Sequence, residues 1–407
     1  MNIWIIKTGE QTEHDPNSRL LRSGQIFQTL KKKGVNITWF NSSFNHQLKK
    51  QRFKRTTILR NGRSKIVYLY GNSYENNISF KRFKSQIVNA IEFIKYLTKN
   101  KYENPDLIIS SYPTVELSFL SCLYAKKNNI PFLIDVRDMW PDIILKNLTL
   151  YKKFFFYPIF FVWNKCFKYC LKNASSIVSI SHSFLNWSLN KGNISKSKFH
   201  KYFLFTKQIE TKKFFNLKEK KFKFLKEKKR FIKVIYCGSI SKRHDFETFF
   251  HALKFTNNKK IITLVCGKGL YFDELKYKYR QNKNLFFLGW MNNKNLNYLL
   301  SICDYGLLPY HSMDFEMSYP NKLSEYLSNN LKILSCIGGI SKKLIKNKNL
   351  GHIYKYKSEK ALLRILNQLK KNQDKKSINT YNKIFSYDKI MNNFLIHIEK
   401  VTNKKLL

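Results

Sequence analysis

The chain has 407 residues, 75 of them Lys or Arg and 26 Asp or Glu, which gives a formal net charge of +49. That length allows two domains or three, each able to bury a core, and 43% hydrophobic with 16% aromatic residues excludes intrinsic disorder despite the charge. No uncharged apolar run reaches the length of about 18 residues that marks a membrane span, and the apolar start at 2–6 is too short for a signal-peptide core, so a cytoplasmic protein is expected.

Lys, Asn, Ile, Phe and Tyr are all abundant, so part of the positive charge reflects A/T-rich codons. What remains is a field suited to anionic lipid surfaces, nucleotide diphosphates or nucleic acid. No zinc-finger spacing, RNA-binding signature or leucine heptad occurs, which disfavours nucleic acid as a partner. The seven cysteines, Cys122, Cys166, Cys170, Cys237, Cys266, Cys303 and Cys336, are odd in number, lie mostly in apolar runs and form no C-x-x-C pair. Reduced core thiols are expected, and neither disulfides nor zinc.

Strand-like apolar runs alternate with helical patterns twice along the chain. The first half predicts strand 2–6, helix 18–32, strands 35–40 and 66–70, helix 80–99, strand 106–110, helix 114–127, strand 132–136, a long aromatic helix 152–171 and strand 176–180. A lysine-rich stretch at 207–230 interrupts the rhythm and reads as a linker. The alternation restarts with strand 232–237, helix 246–255, strands 261–266 and 285–288, helix 294–301, strand 305–308, helix 321–328, strand 332–335 and two late helices. Such β/α alternation builds mainly parallel sheets covered by helices. The expected architecture is α/β, with doubly wound Rossmann-like domains at 1–206 and 231–375 and a C-terminal helix in 376–407 packing back on the first.

Glycine is scarce, 14 in all, about half the usual share. Gly238, Gly267, Gly289 and Gly306 are expected at or just beyond strand ends, where an open α/β sheet binds its ligands and glycine permits close backbone approach. Tight turns alone would account for one such glycine, whereas a series of them favours a site.

The second half reads Val234-Ile-Tyr-Cys-Gly238, Leu264-Val-Cys-Gly267-Lys-Gly269, Leu285-Phe-Phe-Leu-Gly289-Trp290, Asp304-Tyr-Gly-Leu-Leu-Pro309 and Tyr319-Pro-Asn-Lys-Leu-Ser-Glu325-Tyr-Leu. This order resembles the donor-binding domain of glycosyltransferase family 4, whose GT-B architecture has two facing Rossmann-like domains. The first half adds Arg19-Leu-Leu-Arg22-Ser-Gly24, Trp39-Phe-Asn-Ser-Ser-Phe-Asn-His46 and Asp135-Val-Arg-Asp138-Met-Trp140-Pro141. These segments are similar to the acceptor domain of the bacterial branch acting in capsule and O-antigen assembly.

A sugar nucleotide leaves a diphosphate whose charge must be met by a carboxylate-held metal or by protein cations and helix N-terminal amides. No Asp-x-Asp occurs in the chain, so a mechanism without metal or other cofactor is expected. The cationic candidates are Arg243, after the first strand of the second domain, and Lys322, in the first turn of the helix opened by Pro320, where N–H groups around Ser318 to Asn321 would face an anion. Glu325 follows one turn later on the same face, and the resemblance implies that it accepts hydrogen bonds from the nucleotide ribose. The family's first glutamate falls on Met317, with Glu316 one residue out of register, which leaves the sugar contacts open between Glu316, amides near Ser318, and neither. Ser239 stands where many relatives carry arginine. Trp290 and Met291 are candidates to flank the base, with a core role for Met291 equally weighted.

In the first domain Asp138 follows a buried strand at its carboxyl end. An N-cap or a partner for Arg137 is the plain reading; the resemblance makes it the candidate for positioning or deprotonating the acceptor. It also turns the loop from Thr8 to Glu10, with Gly9 at its centre, toward the donor diphosphate. Arg19, Arg22 and His46 are further acceptor-site candidates, His46 being also readable as a structural histidine. The segment 152–168, dense in Phe, Tyr and Trp between lysines and interrupted by Pro158, is expected either to pack on the first sheet or to hold the protein on an anionic membrane surface.

The resulting expectation is a metal-independent glycosyltransferase of the hexosyl or N-acetylhexosaminyl class. It would move a sugar from a UDP-linked donor to a lipid-linked or oligosaccharide acceptor at the inner face of the cytoplasmic membrane, with the retaining outcome implied by the resemblance. The rival readings are a UDP-sugar 2-epimerase of the same architecture, which needs carboxylates around the hexose, and a basic nucleic-acid-binding protein.

Overall fold

Runs such as Ile3-Trp4-Ile5-Ile6 and Val234-Ile-Tyr-Cys237 are buried almost completely, as parallel strands covered on both faces require. The computed structural model describes residues 1–16, 18, 20–76, 79–99, 104–197, 199–204, 222, 224–310 and 316–406. The chain divides into two units, Met1–Phe205 with Asp388–Leu407, and Thr206–Tyr387.

The first unit contains β1 (Asn2–Ile6), β2 (Asn36–Ser42), the short pair β3 (Phe44–Asn45) and β4 (Lys50–Gln51), β5 (Thr57–Asn61), β6 (Ser64–Leu69), β7 (Leu107–Tyr112), β8 (Phe132–Val136), β9 (Ser176–Ser179) and β10 (Lys201–Tyr202). Its main sheet runs β10-β9-β8-β7-β1-β2-β6-β5, parallel throughout except for the β5–β6 hairpin. The strand order reverses between β1 and β7, which opens a crevice at their carboxyl ends. Helix Tyr387–Thr402 closes this unit, burying Ile390, Met391, Phe394, Leu395, His397 and Ile398. Phe394 meets Phe203 edge-on at 5.2 Å, and Lys404 pairs with Asp106.

The second unit contains β11 (Ile232–Ser239), β12 (Ile261–Lys268), β13 (Leu285–Gly289), β14 (Tyr305–Leu308), β15 (Lys332–Ser335) and β16 (Gly351–Ile353). They form one wholly parallel sheet, β13-β12-β11-β14-β15-β16. Its switch point lies between β11 and β14. Helix Lys376–Ile384 groups with this unit, so the chain returns to the first unit only at Asp388. Most of the expected linker lies outside the described residues. Its last turn, helix Phe224–Glu227, belongs to the second unit, where Phe224 stacks on Phe286 at 4.3 Å.

One glycine reading is corrected. Gly306 is the second residue of β14, inside the strand, and a Cβ there would fall 2.1 Å from the Tyr326 ring. It makes room for a core tyrosine and has no role at a strand end. All seven cysteines are free, and five of them are buried.

Candidate functional site

In the second unit the site grows from the ends of β11 and β12. Gly238 (φ +139°) and Gly267 (φ +156°) are register partners. A Cβ on Gly267 would fall 1.8 Å from the Gly238 carbonyl oxygen, and one on Gly238 would fall 2.2 Å from Lys322 Nζ. Bare backbone here is what lets the Lys322 side chain, from the second residue of helix Asn321–Ser328, reach the strand end. Its ammonium lies 5.5 Å from the Tyr236 ring centroid and 5.9 Å from that of Tyr310. Burial pulls the Lys322 pKa down, but Tyr310, Cys237 and Glu325 together outweigh it and leave the pKa above its ordinary value. The amine is held charged.

His244 completes the wall. It bridges to Tyr310 through the backbone, its ring lies 4.9 Å from that of Tyr310, and its Nδ1 is 3.5 Å from the Tyr236 hydroxyl. Burial first, then the charges of Lys322 and Arg243, push its pKa down to about 4, so the ring is neutral near pH 7. Arg243 itself is exposed in the loop after β11. Glu325 directs a carboxylate oxygen to within 3.9 Å of Cys237 Sγ. Lys322 and Glu325 therefore address the same strand end, as their spacing predicts. Tyr326, the next residue, points inward, and its hydroxyl accepts from the Cys237 N–H at 3.1 Å.

The neighbouring loop is tied down through its backbone. The Glu316 carbonyl accepts from Ile340 N–H at 2.9 Å, and the Ser318 carbonyl accepts from Ser341 Oγ at 3.2 Å. Gly339 (φ +58°) would clash with the Glu316 carbonyl if it carried a Cβ, at 2.0 Å, and Gly338 sits beside the Glu316 side chain. Glu316 thus lies at the start of helix Gly339–Asn347. The Gly338-Gly339 pair was not singled out from the sequence, although two adjacent glycines after a strand in a glycine-poor chain are a legible signal. Asn321 is exposed on the first turn of its helix, Trp290 is exposed with Lys268 Nζ 5.4 Å from its ring, and Met291 is buried. Of the two readings of Met291, the structure shows the core one.

In the first unit the loop after β1 is pinned at Gly9 (φ +81°), whose N–H donates to Asn41 Oδ1 at 3.0 Å. A Cβ on Gly9 would lie 3.5 Å from that of His46, so these two candidates are neighbours. His46 Nδ1 is 2.9 Å from the Tyr74 hydroxyl, and burial, then Lys49, Arg82 and Lys7, lower its pKa to about 4. Arg19 lies outside the described residues. Asp138 is half-buried just beyond β8.

Arg22 requires a correction. It is buried and paired with Asp135 at 2.8 Å. Arg137 joins the same cluster, 2.5 Å from Glu10, 2.7 Å from Asp135 and 2.8 Å from each of the Ser23 and Ser111 hydroxyls. A guanidinium so committed holds the carboxyl ends of β1, β7 and β8 together instead of meeting an acceptor. Glu10 and Arg137 were missed as a pair, though Asp135 and Arg137, two apart along an extended strand, must share a face. Among the described residues no group of three His, Cys, Asp or Glu side chains could hold a metal ion.

Residues 217–384, within the second unit, match the family described as glycosyl transferases group 1. No curated protein sequence matches the chain. Among solved structures it is similar to sucrose-phosphate synthase from Thermosynechococcus elongatus, with a TM-score of 0.69 and 13% identity over 99% of both chains. It is also similar to Anabaena HepE in complex with UDP, with a TM-score of 0.64 and 11% identity over 98% of this chain and 100% of that one. A third is the lipopolysaccharide outer core galactosyltransferase WaaB, with a TM-score of 0.59 and 15% identity over 98% and 99%. At these identities the likeness shows the fold, which is GT-B.

Proposed function

We propose that the protein is a glycosyltransferase that takes a sugar from a UDP-linked donor, held by the second unit without a metal, and passes it with retention to a lipid-linked or oligosaccharide acceptor in surface polysaccharide synthesis. The observation that carries this reading is the charged Lys322 ammonium set against side-chain-free backbone at Gly238, with Glu325 one turn away on the same helix. Lys322 and Arg243 would stabilise the departing diphosphate, a task that favours fixed protein charges over mobile water. Glu325 would accept from the ribose hydroxyls, Trp290 would flank the base, and Gly267 and Asn321 would border the phosphates through their backbone. On the acceptor side Asp138 would orient or deprotonate the incoming hydroxyl. The glycosyl transferases group 1 match over residues 217–384 and the UDP held by HepE support the nucleotide-sugar donor.

The test is thermal denaturation of the full chain with UDP in excess EDTA. Saturation to about one hundred times the dissociation constant should stabilise the protein by about 2.7 kcal/mol. Stabilisation that appears only when magnesium or manganese is added removes the metal-free reading.

A further inference from the structure

Helix Phe80–Lys99 in the first unit packs Phe93 and Tyr96 into the core against Phe40, yet it leaves a second apolar stripe outside. It buries Ser85 and Asn89 alongside Ala90, Phe93 and Tyr96, with Asn89 Nδ2 donating to the carbonyls of Leu69 and Tyr70 at 3.3 and 2.6 Å. Its outward stripe carries Phe80, Ile87, Ile91 and Ile94, and Phe80 is 73% exposed. A helix whose apolar residues all serve its own core would carry polar side chains on that outward face.

The aromatic helix Leu150–Lys172 shows a related departure. Phe160, Phe167, Cys170 and Leu171 are buried, so its inner face packs on the sheet. The outer face exposes Leu150, Tyr151, Phe154, Tyr157, Phe161 and Val162, with Leu150 and Phe154 each 84% exposed. One turn later the same stripe becomes lysine, at Lys165, Lys168 and Lys172, all exposed, and Lys165 Nζ lies 4.5 Å from the Phe161 ring centroid. The two helices meet where Phe80 lies 6.2 Å from Phe156 and Phe83 lies 5.7 Å from Trp163. Their outward apolar stripes are thereby joined.

We infer that helices Phe80–Lys99 and Leu150–Lys172 together form a surface that docks on an anionic lipid bilayer, lying in the plane of its headgroups. Three observations favour this occupant over a protein. The two helices carry ten basic residues against one acidic residue, Glu92, and Glu92 is already bonded to Lys95 at 2.8 Å. A second copy laid over this face would set lysines against lysines on two chains of +49 each. Aromatic and aliphatic side chains grading into lysine match the order of acyl boundary and headgroup met on entering a membrane at a shallow angle. No described helix is long and apolar enough to cross a membrane, which leaves attachment in the interface. This inference rests on the first unit alone and is independent of the donor proposal.

The experiment is cosedimentation of the full chain with phosphatidylglycerol–phosphatidylcholine vesicles and with pure phosphatidylcholine vesicles at about 0.15 M salt. The expected result is partition onto the anionic vesicles that falls at least about tenfold in each of two variants. One is Ile87→Ser with Ile91→Ser and Ile94→Ser; the other is Phe154→Ser with Tyr157→Ser and Phe161→Ser. All six side chains are exposed, and unchanged melting of each variant establishes that it folds. Failure of the wild type to sediment with anionic vesicles overturns the inference. So does undiminished binding of the isoleucine variant, which would leave helix Phe80–Lys99 off the surface. Conversion of a lipid-free dimer to monomer by either variant would make the face a protein interface and overturn it as well.

Discussion

The two units reverse their strand order in the same way, at β1 and β7 in one and at β11 and β14 in the other, yet the crevices are furnished oppositely. At the first, Arg22 and Arg137 are matched by Glu10 and Asp135, in contacts of 2.5 to 2.8 Å. At the second, the Lys322 ammonium sits among tyrosine rings and glycine backbone, with Arg243 exposed nearby. In the first crevice the guanidiniums are spent on ion pairs that tie strand ends together, whereas in the second the ammonium lies against tyrosine rings and bare backbone, with Glu325 at the same strand end.

The comparison breaks most sharply at Asp135. Asp135→Asn strips two buried guanidiniums of a shared carboxylate, and removing one partner of such a network costs about 3–5 kcal/mol. Urea denaturation should show that loss while the UDP affinity of the folded fraction stays the same. A stable variant with weakened UDP binding would make the first crevice a ligand site after all.

Lys322→Ala should do the opposite, leaving the urea midpoint nearly unchanged and weakening UDP by about 2–3 kcal/mol, as expected for hydrogen bonds to a charged group. Titration calorimetry in EDTA measures it. Glu325→Ala should weaken the nucleotide by about 1.5–3 kcal/mol, and should do so for UDP more than for inorganic pyrophosphate, which has no ribose. Equal loss for both ligands would place Glu325 away from the sugar ring.

The smallest effect concerns acid. His397 on the closing helix is buried, with Nε2 2.8 Å from Ser176 Oγ; burial, then Lys201, Lys400 and His200, depress its pKa to about 4. The unfolded ring takes its proton at a higher pH than the folded one, so this contribution is intact above about pH 6.5 and is lost as pH falls toward about 4. The loss should show as a falling urea midpoint across that interval, and His397→Gln should flatten it. A wild-type slope that survives in the variant assigns the acid sensitivity elsewhere, His200 being the nearest alternative.

Much of this was legible because periodicity reports burial. Strands 2–6, 132–136 and 305–308 and helices 80–99, 246–255 and 321–328 fall where hydrophobic spacing puts them. The β5–β6 hairpin was missed because β5 is a short, half-exposed edge strand, although Gly62 (φ +59°) opens its two-residue loop, Gly62-Arg63, between the paired Asn61 and Ser64. Lys322 and Glu325 could be paired from their spacing on one helix. The Tyr236–His244–Tyr310 wall could not, since it joins β11, the loop after it and the end of β14. The burial of Ser85 and Asn89 beside Phe93 and Tyr96 was equally hidden, for a helix with two apolar stripes does not say which of them meets the core.

The first unit is discontinuous: its last helix is made after the entire second unit. During synthesis, residues 206–387 emerge between the two halves of one core, an interval of roughly 10–40 s at ordinary translation rates. Throughout it Phe203 and Ser176 lack the helix that covers them, while the second unit can already fold and fill its own sheet. The second unit is therefore complete ahead of the unit with the outward apolar stripes, and a message cut short before residue 388 would yield the former with an unsealed remnant of the latter.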